Sequence, residues 1–358
     1  MSAGSDVSDA MGGAMGVSMG DAMCGAENPR ARVVRVPPEL AGERIDRALA
    51  RLLPELSRSE AHRLLRRGLV RLAGGRVARP STRVGAGDEI ALEIAPPPPS
   101  ALAPVTMQLD VRYEDAHLIV LVKPAGLVMH PGAGTRRPTL VAGLLARYGE
   151  LPGDPVRPGL VHRLDRDTTG LLVVARSALA HRALQAQVAA RAVTRTYEAL
   201  VWGELREAAG RIEAPIARSR RDRTRMVVVP SGGRGAITTY RVVEPLGIAS
   251  RVLLDLVTGR THQIRVHMKH CGHPVVGDHV YGGRPSSLVA VPSAERGRAR
   301  RLLAAIDRQA LHAAHLAFTH PVTGVEMVFA AERPADMEGC LSVLRAGRDL
   351  AAGAEHAV

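Results

Sequence analysis

"PGLVHRLDRDTTGLLVVARS", residues 158–177, decides how this chain is interpreted, because it joins a charged turn directly to an apolar run. The run after Gly170 is typical of a strand that is buried in a sheet. A carboxylate in the turn before such a strand is costly unless a cation pairs with it, and Asp165 stands between Arg163 and Arg166. Asp167 is better suited to closing the turn through bonds to backbone N–H groups. The two acids are therefore expected to differ in role.

A plainer interpretation of this stretch remains open. An exposed turn with a surface ion pair would also contain alternating acids and arginines, and such pairs contribute little to stability. The rest of the chain has to decide between the two interpretations.

Strand-like segments recur on both sides of this stretch, and helical periods are few. The strand-like runs are "LDVRYEDAHLIVLVKP", "GLLVVARS", "RTYEALVWGEL", "TTYRVVEPL", "SRVLLDLVTG", "HLAFTHP" and "VEMVFAAE". The helical periods are "LVAGLLARYG" and "LAHRALQAQVAAR". No GxGxxG or GxxxxGK[ST] loop is present, which argues against nucleotide binding. These patterns predict an α+β fold with a mainly antiparallel, mixed sheet and a central cleft.

The N-terminal part of the chain shows a separate pattern. Apolar residues from Ile45 to Leu53 recur at helical spacing before Pro54, and a second helix is expected to begin at Ser57 or Ser59 and to stop at Gly68. Short strands "LVRLA" and "EIALEI" follow. The segment resembles an S4 RNA-binding domain, through "SRSEAHRLLRRGLVRL" and the closing "GDEI". Phosphate-binding residues are expected at Arg58, Arg63, Arg66, Arg67 and Arg71.

Composition changes divide the chain further. Residues 1–31 are interpreted as a disordered leader rich in Gly, Met, Ser and Asp, residues 32–95 as the S4-like domain and residues 96–106 as a stiff proline-rich linker. A catalytic domain is expected over residues 107–337 and a tail over residues 338–358. No apolar run approaches the ~18 residues of a membrane span and no signal peptide is recognisable. A cytoplasmic monomer without membrane association is therefore expected.

The charge points to a polyanion as partner. The formal net charge is +13, and Lys123 and Lys269 are the only lysines, so arginine supplies nearly all of it. Codon usage in a GC-rich genome is the alternative explanation. The three cysteines stand far apart, which argues against a disulfide framework or zinc site. The histidines of "HQIRVHMKHCGH" and His162 lack a matching second ligand cluster, so no metal is expected.

Five stretches in order resemble the RluA-type pseudouridine synthases, RNA enzymes that convert uridine in place to its C-glycoside isomer. They are "RYEDAHLIVLVKPAGLVMHPGAG", "HRLDRDTTGLLVVAR", "RTYEALVWG", "TGRTHQIRVHMKHCGHPVVGDHVYG" and "LHAAHLAFTHPVTG". The tyrosine motif of that family usually begins with Lys, and this chain has Arg195 there. Together with the S4-like segment, the resemblance covers the chain from about Arg35 to about Met337.

The resemblance implies roles for four residues. Asp165 would be the essential carboxylate, Tyr197 would stack on the uracil or transfer a proton, and Arg265 would keep the carboxylate ionised from within about 4 to 6 Å. Arg163 would hold the backbone or fill the space of an extruded base. Plain alternatives are a half-buried strand tyrosine for Tyr197 and, because "RTHQIRVHM" alternates like a strand with its polar residues facing water, a surface position for Arg265.

The implied function is isomerisation of uridine in RNA without a cofactor or metal. The carboxylate would act as nucleophile or assist elimination from the sugar, and the sequence does not choose between these routes. Ribosomal RNA of the large subunit is the expected substrate, with tRNA as a possible one. A ribosome-assembly factor that has lost the reaction and a glycosylase that releases uracil are the alternatives. The intact Asp165, Tyr197 and Arg265 argue against the first of these.

Overall fold

The structure is a computed structural model that describes residues 30–53, 56, 58–72, 76–77, 79–94, 102–131, 138–284 and 288–355. The expected leader up to residue 29 and the proline-rich residues 95–101 lie outside the described residues. The chain forms two compact units. One contains the described residues up to Ile45 and from His62 to Ile94, and the other contains Asp46–Ala61 and the residues from Leu102 onward.

The N-terminal part begins with a strand and two helices. Helices α1 (Ile45–Leu52) and α2 (Arg58–Arg66) have the positions that the apolar spacing predicts. Gly68 follows α2 with a φ of 72°, and its N–H donates to Leu65 O, which confirms the predicted helix stop. The sheet has the order β1-β4-β2-β3 and is antiparallel throughout. Its strands are β1 (Arg30–Arg35), β2 (Val70–Leu72), β3 (Arg76–Val77) and β4 (Glu89–Ile94).

The second unit contains a large mixed sheet, as predicted. The strand order in the described residues is β5-β6-β7-β14-β8-β13-β12-β9, with β15 paired to β14 and a separate β10–β11 hairpin. The β7–β14 pair is parallel, and the other pairs of this sheet are antiparallel. The strands are β5 (Asp110–Glu114), β6 (Leu118–Lys123), β7 (Thr169–Ala175), β8 (Thr194–Trp202), β9 (Ala209–Glu213), β10 (Ile216–Arg218), β11 (Met226–Val228), β12 (Ile237–Pro245), β13 (Ala249–Leu256), β14 (Leu311–Thr319) and β15 (Glu326–Ala330).

Helices cover both faces of this sheet. They are α3 (Leu140–Tyr148), α4 (Ala178–Ala189), α5 (Gln263–His270), α6 (Arg296–Ala304) and α7 (Ala335–Glu355). Alternate residues of β7 belong to two different apolar clusters: Leu172 packs in the cluster that contains Leu144 of α3, and Leu171 packs in the one that contains Leu184 of α4. A strand that is buried on both faces needs an unbroken apolar run, which explains "GLLVVA". None of the described helices is both long and apolar enough to cross a membrane.

Gly170 allows the parallel pair to form at the start of β7. It pairs with Ala313 of β14 and has a φ of +115°. A Cβ atom at this position would lie 2.3 Å from Ala313 O, so a larger residue does not fit. The last residue of "HRLDRDTTG" is therefore required for the sheet, and it fixes where the turn with Asp165 ends.

The strand interpretation of "RTHQIRVHM" is wrong. Residues Gln263–His270 form helix α5, and the Gln263 side-chain oxygen accepts bonds from the Thr258 hydroxyl and the Arg260 N–H in the turn before it. Ile264, Arg265 and Met268 are buried at helical spacing. The polar residues of this stretch therefore do not all face water, and Arg265 points inward.

The expected C-terminal tail contains a helix that packs on the core. Helix α7 begins at Ala335, and Cys340, Leu341 and Leu344 are fully buried in the same apolar cluster as Leu302 of α6. The helical spacing of these buried residues shows why residues beyond Met337 fold with the second unit.

Candidate active site

A cavity of about 500 Å³ opens beside Asp165 in the second unit. Among the described residues that line it, six are arginines and one is an aspartate. The arginines are Arg157, Arg163, Arg191, Arg195, Arg260 and Arg265. A cavity with this charge favours a polyanionic ligand, since concave surfaces of one sign concentrate the opposite charge.

The turn that carries Asp165 is fixed through its backbone. The Thr168 N–H donates to Asp165 O at 3.2 Å. The Asp167 carboxylate binds the Arg166 guanidinium at 2.8 Å and makes no bond to the turn's N–H groups in the described structure, so the turn-closing role predicted for its side chain is wrong. The predicted difference between the two acids is observed, because the Asp165 side chain lies in the cavity wall and is only 15% exposed.

Lys123 anchors the same turn through its backbone. This lysine is fully buried, and its ammonium donates to three backbone carbonyls, those of Pro124 (2.6 Å), Leu127 (3.0 Å) and Arg166 (2.7 Å). Burial lowers the pKa of Lys123 to about 7, although the nearby carboxylates of Asp167 and Asp165 raise it. The end of β6 is thereby tied to the residue that follows Asp165.

Arg265 is the cation that binds Asp165. Its Nη1 donates to Asp165 Oδ2 at 3.0 Å, while its Nε and Nη2 donate to the two oxygens of Asp278 at 2.6 and 2.9 Å. The ring of Tyr281 faces the same guanidinium at 4.9 Å. The predicted approach of Arg265 to Asp165 is therefore present, and Arg163 and Arg166 do not serve as partners of Asp165.

Asp278 is a site residue that lies in one of the sequence motifs but was given no predicted role. Its side chain is fully buried and also accepts the N–H groups of Val280 and Tyr281. Burial raises the pKa of Asp278, but the bonds from Arg265 and from the backbone outweigh it and leave the pKa below its usual value. Burial likewise lowers the pKa of Arg265, and the two carboxylates raise it further than burial lowers it. Both groups are ionised at neutral pH.

A detectable signal for Asp278 was present in the sequence. It is a carboxylate in a Gly-flanked turn, "VVGDHVYG", directly after apolar residues. As for Asp165, a buried acid in such a turn requires a cation as partner.

Tyr197 lies in the wall of the cavity on strand β8. It is 4% exposed, and burial raises its pKa to about 12, so the phenol stays protonated at neutral pH. Its hydroxyl makes no hydrogen bond to any residue that the structure describes. A hydroxyl in a cavity wall without a protein partner is available to a ligand.

His262 provides a further polar group beside Asp165. The Met226 N–H donates to the Tyr281 hydroxyl at 2.9 Å, and this hydroxyl also forms a 2.7 Å hydrogen bond with His262 Nδ1. The other ring nitrogen, Nε2, lies 3.9 Å from Asp165 Oδ1. Burial lowers the pKa of His262, which keeps the ring neutral.

Backbone strain also marks this cavity. In the described part of the chain, the non-glycine residues with positive φ are Arg191 (61°) and His262 (56°), and both line the cavity. Such conformations persist where the surrounding structure enforces them, and they are concentrated at functional sites.

The other predicted residues differ in their surroundings. Arg163 is exposed at the cavity wall, as a residue that contacts RNA would be. Arg58 forms an ion pair at 3.1 Å with the buried Asp46, which gives it a structural contact. The remaining predicted S4 arginines are exposed, namely Arg63, Arg66, Arg67 and Arg71.

Two of the histidines have internal structural contacts. His162 is buried, its Nε2 accepts the Val173 N–H at 3.1 Å, and burial lowers its pKa to about 3. His267 is fully buried between Thr238 Oγ1 (2.9 Å) and Ala214 O (3.0 Å). Both side chains therefore contribute to packing within the second unit.

Comparison with known proteins gives consistent matches. The profile of the family described as RNA pseudouridylate synthase matches residues 117–270, and that of the S4 domain matches residues 43–90. An uncharacterized RNA pseudouridine synthase of Chloroflexus aurantiacus is 48% identical over 88% of this chain and 94% of its own length. The ribosomal large subunit pseudouridine synthase D of Yersinia pestis is 42% identical over 85% and 92%. The solved structure of human RNA pseudouridylate synthase domain containing 1 is 27% identical, covers 67% and 95%, and gives a TM-score of 0.49.

Proposed function

Because this chain belongs to the RNA pseudouridine synthases, enzymes that isomerise uridine within RNA, we propose that it modifies large-subunit ribosomal RNA with Asp165 as the reacting carboxylate. One observation carries the assignment of Asp165: among the described residues that line the cavity it is the sole acid, beside six arginines. The relatives named as large-subunit enzymes match over nearly their whole length, which supports the choice of substrate.

Arg265 keeps the carboxylate ready for the reaction. Its two bonds to the buried Asp278 fix the guanidinium, and the third bond orients Asp165. Part of the Asp165 side chain remains accessible from the cavity. An ionised and oriented carboxylate is what either nucleophilic attack or assisted elimination at the ribose requires.

The chemistry at the uridine follows from these groups. The bond between N1 and C1′ breaks, the base turns, C5 bonds to C1′, and C5 loses its proton while N1 gains one. If Asp165 attacks C1′, the acylal bond that forms must break again when C5 attacks. If it assists elimination, the carboxylate takes the C2′ proton and returns it. Tyr197 lies in the same cavity, where its ring is available to the uracil face and its hydroxyl to proton transfer at C5.

The exposed arginines are proposed to contact the RNA. Extrusion of a base from its stack costs a few kcal/mol, and contacts that replace the lost stacking or hold the backbone compensate for this cost. We assign this role to Arg163 because it is exposed at the cavity wall. Arg63, Arg66, Arg67 and Arg71 are proposed to bind phosphates without reading the sequence.

We propose different roles for three segments of the chain. Residues 32–95 form an S4 RNA-binding domain, residues 96–106 link it to the catalytic domain, and the catalytic domain continues beyond residue 337 into helix α7. The enzyme acts as a monomer in the cytoplasm, where ribosomal RNA is made accessible during assembly. It requires no cofactor or metal, because the isomerisation involves no net redox change and adds no group.

Deletion of the gene tests this function. Pseudouridines are mapped across ribosomal and transfer RNA in the deletion strain, and in strains rescued with wild type or Asp165→Asn. We expect particular large-subunit sites to disappear and only wild type to restore them. Loss at tRNA sites would overturn the substrate assignment. An unchanged map would favour the assembly-factor alternative, and free uracil without pseudouridine in a reaction with purified enzyme would favour a glycosylase.

A further inference from the structure

Arg195 differs from every other buried arginine that the structure describes. Four arginines in the described part of the chain are buried, and three of them bind carboxylates: Arg265 binds Asp165 and Asp278, Arg298 binds Glu295, and Arg308 binds Asp336. Arg195 is 9% exposed and makes no hydrogen bond or ion pair to any residue that the structure describes. A buried cation without an anionic partner is costly, so a feature of the free protein alone does not explain its position.

The unpaired guanidinium faces the cavity that contains Asp165. Its Nε is fully buried and has no partner, and the residue lines the cavity wall. The acids nearest along β8 and its neighbour are already engaged, because Glu198 binds Arg333 and Asp255 accepts a bond from Thr196. An anionic partner for Arg195 would therefore belong to a ligand that enters the cavity.

The position of Arg195 relative to Tyr197 indicates which part of the ligand Arg195 contacts. The two residues are separated by one residue on β8, so both side chains lie on the same sheet face at a spacing of roughly 7 Å. A nucleotide whose base rests on Tyr197 has a phosphodiester one sugar away from that base. This phosphate is the anionic group of RNA, whereas the uracil carbonyls are neutral and would leave the cation uncompensated.

We propose that Arg195 binds a phosphodiester that flanks the target uridine, and that this bond seats the extruded nucleotide over Tyr197. The inference rests on the proposed function, since it takes RNA as the ligand. A planar guanidinium binds two phosphate oxygens at once, which fixes the orientation of the nucleotide as well as its position. Arg195 is thus a substrate-binding residue, distinct from Arg265, whose charge is already satisfied within the protein.

Gly259 keeps the space that the guanidinium needs. A Cβ atom at this position would lie 3.0 Å from Arg195 Nη1, so an alanine would displace the guanidinium by a few tenths of an ångström. The φ of Gly259 is not in the left-handed region, so the backbone tolerates alanine. Gly259→Ala therefore moves the cation without removing it.

The test uses RNA fragments that contain a uridine modified by the wild-type enzyme. One fragment is unaltered, and two carry a neutral methylphosphonate in place of the phosphate 5′ or 3′ of that uridine. Arg195→Met is expected to lower kcat/KM on unaltered RNA by roughly ten- to a hundredfold, mainly through KM. On the fragment whose contacted phosphate is neutral, Arg195→Met should lower kcat/KM by less than about twofold, because the interaction is already absent.

Three further variants make the result specific. Arg195→Lys keeps the charge but not the planar fork and should be intermediate, and Gly259→Ala should show a smaller loss confined to the same phosphate. Arg206→Met removes one exposed charge outside the cavity and should affect all fragments equally and weakly. In the free protein, Arg195→Met should not lower the melting temperature, because it removes an unpaired buried cation. A purely structural role would lower it.

Equal losses from Arg195→Met on all three fragments would overturn the inference while the proposed function stands. If Arg195→Met does not fold, the same comparison with Gly259→Ala decides. If the wild-type enzyme forms no pseudouridine in any RNA, the proposed function fails and this inference fails with it.

Discussion

Arg265 Nη1 donates a 3.0 Å hydrogen bond to Asp165 Oδ2 across a sequence separation of 100 residues. The remaining donors of the same guanidinium bind Asp278, which is fully buried and holds it in place. Asp165 and Asp278 are therefore two carboxylates on one cation with different functions. Asp278 is enclosed and fixes the cation, while Asp165 is reached from the cavity and remains available to substrate.

Replacement of Asp165 should remove activity with little effect on folding. Asp165→Asn is expected to lower pseudouridine formation by more than about 10³-fold, the range for loss of a reacting group. Stability should fall by about 1 kcal/mol, because Arg265 keeps its bonds to Asp278. Quantification of pseudouridine and thermal unfolding measure the two effects. Asp167→Asn is the matched control, since its carboxylate only binds the exposed Arg166. Near-normal activity of Asp165→Asn would contradict its proposed role.

Replacement of Asp278 should lower the stability of the fold much more than replacement of Asp165 does. Asp278→Asn leaves the buried Arg265 without its main counter-charge, and disruption of such a buried pair costs about 3–5 kcal/mol. Chemical denaturation should show this loss, together with a fall in kcat because Asp165 loses its fixed partner. Glu213→Gln is a suitable control, since the exposed Arg211–Glu213 pair contributes about 0–1 kcal/mol. Equal stability of the Asp278 and Glu213 variants would show that Asp278 does not anchor the guanidinium.

Local pattern predicted much of this fold. The strands β6, β7 and β8 follow from apolar runs that only a sheet covered on both faces can bury, and α3 and α4 follow from their helical spacing. The resemblance singled out Asp165, Tyr197 and Arg265, and the structure places all three at one cavity.

The parts that pattern did not predict depend on contacts between distant segments. "RTHQIRVHM" alternates like a strand, but it forms a helix because the Gln263 side chain closes the preceding turn and Arg265 has the buried Asp278 to bind. Lys123 looked like one of two lysines in an arginine-rich chain. Its role depends on the Arg166 carbonyl, 43 residues away, which no local periodicity reveals.

Lys123 should be essential for the shape of the Asp165 turn. Lys123→Met leaves three backbone carbonyls without their donor, at about 1 kcal/mol for each hydrogen bond lost, and frees the backbone beside Asp165. We expect a lower melting temperature and a lower kcat. Lys269→Met, which changes the other lysine at an exposed position, should alter neither. Comparable behaviour of the two variants would rule out the anchoring role.

The pH dependence of stability provides a second test of Lys123. Burial lowers its pKa to about 7, whereas a lysine in the unfolded chain titrates near pH 10.4. Between these values the unfolded state binds the extra proton, so this group makes the free energy of unfolding rise with pH. Denaturation of wild type and Lys123→Met at pH 6.5 and 9.5 measures the contribution. Wild type should gain stability relative to the variant at the higher pH, and a difference that does not change with pH would refute the shift.

Gly170 should tolerate no side chain. Gly170→Ala would place a Cβ atom 2.3 Å from Ala313 O at a φ of +115°, so β7 and β14 would have to separate. We expect a loss of about 4 kcal/mol or more, beyond the range of most substitutions, and little folded enzyme. Gly339→Ala is the control, because nothing lies within 4 Å of its Cβ position in helix α7 and alanine favours a helix. A normal melting temperature for Gly170→Ala would mean that the two strands do not pair at this residue.

Asp115 should make the enzyme sensitive to acid. Burial raises its pKa, but bonds from the N–H groups of Leu118 and His117 and from His320 and Tyr113 outweigh this and lower the pKa to about 2. A group with a depressed pKa stabilises the fold fully above its unfolded pKa, near 3.9, and this contribution is lost as the pH falls toward 2.

The comparison of wild type with Asp115→Asn isolates this contribution. The variant should melt at a lower temperature than wild type at pH 6, since it lacks the charge that these donors bind. The difference should shrink steadily between about pH 4 and pH 2, because protonation makes Asp115 of the wild type neutral as well. Asp110→Asn, which alters an exposed carboxylate paired only with Arg112, should follow wild type throughout. A difference between wild type and Asp115→Asn that stays constant down to pH 2 would show that packing of the side chain, and not its charge, is what stabilises the turn at the start of β6.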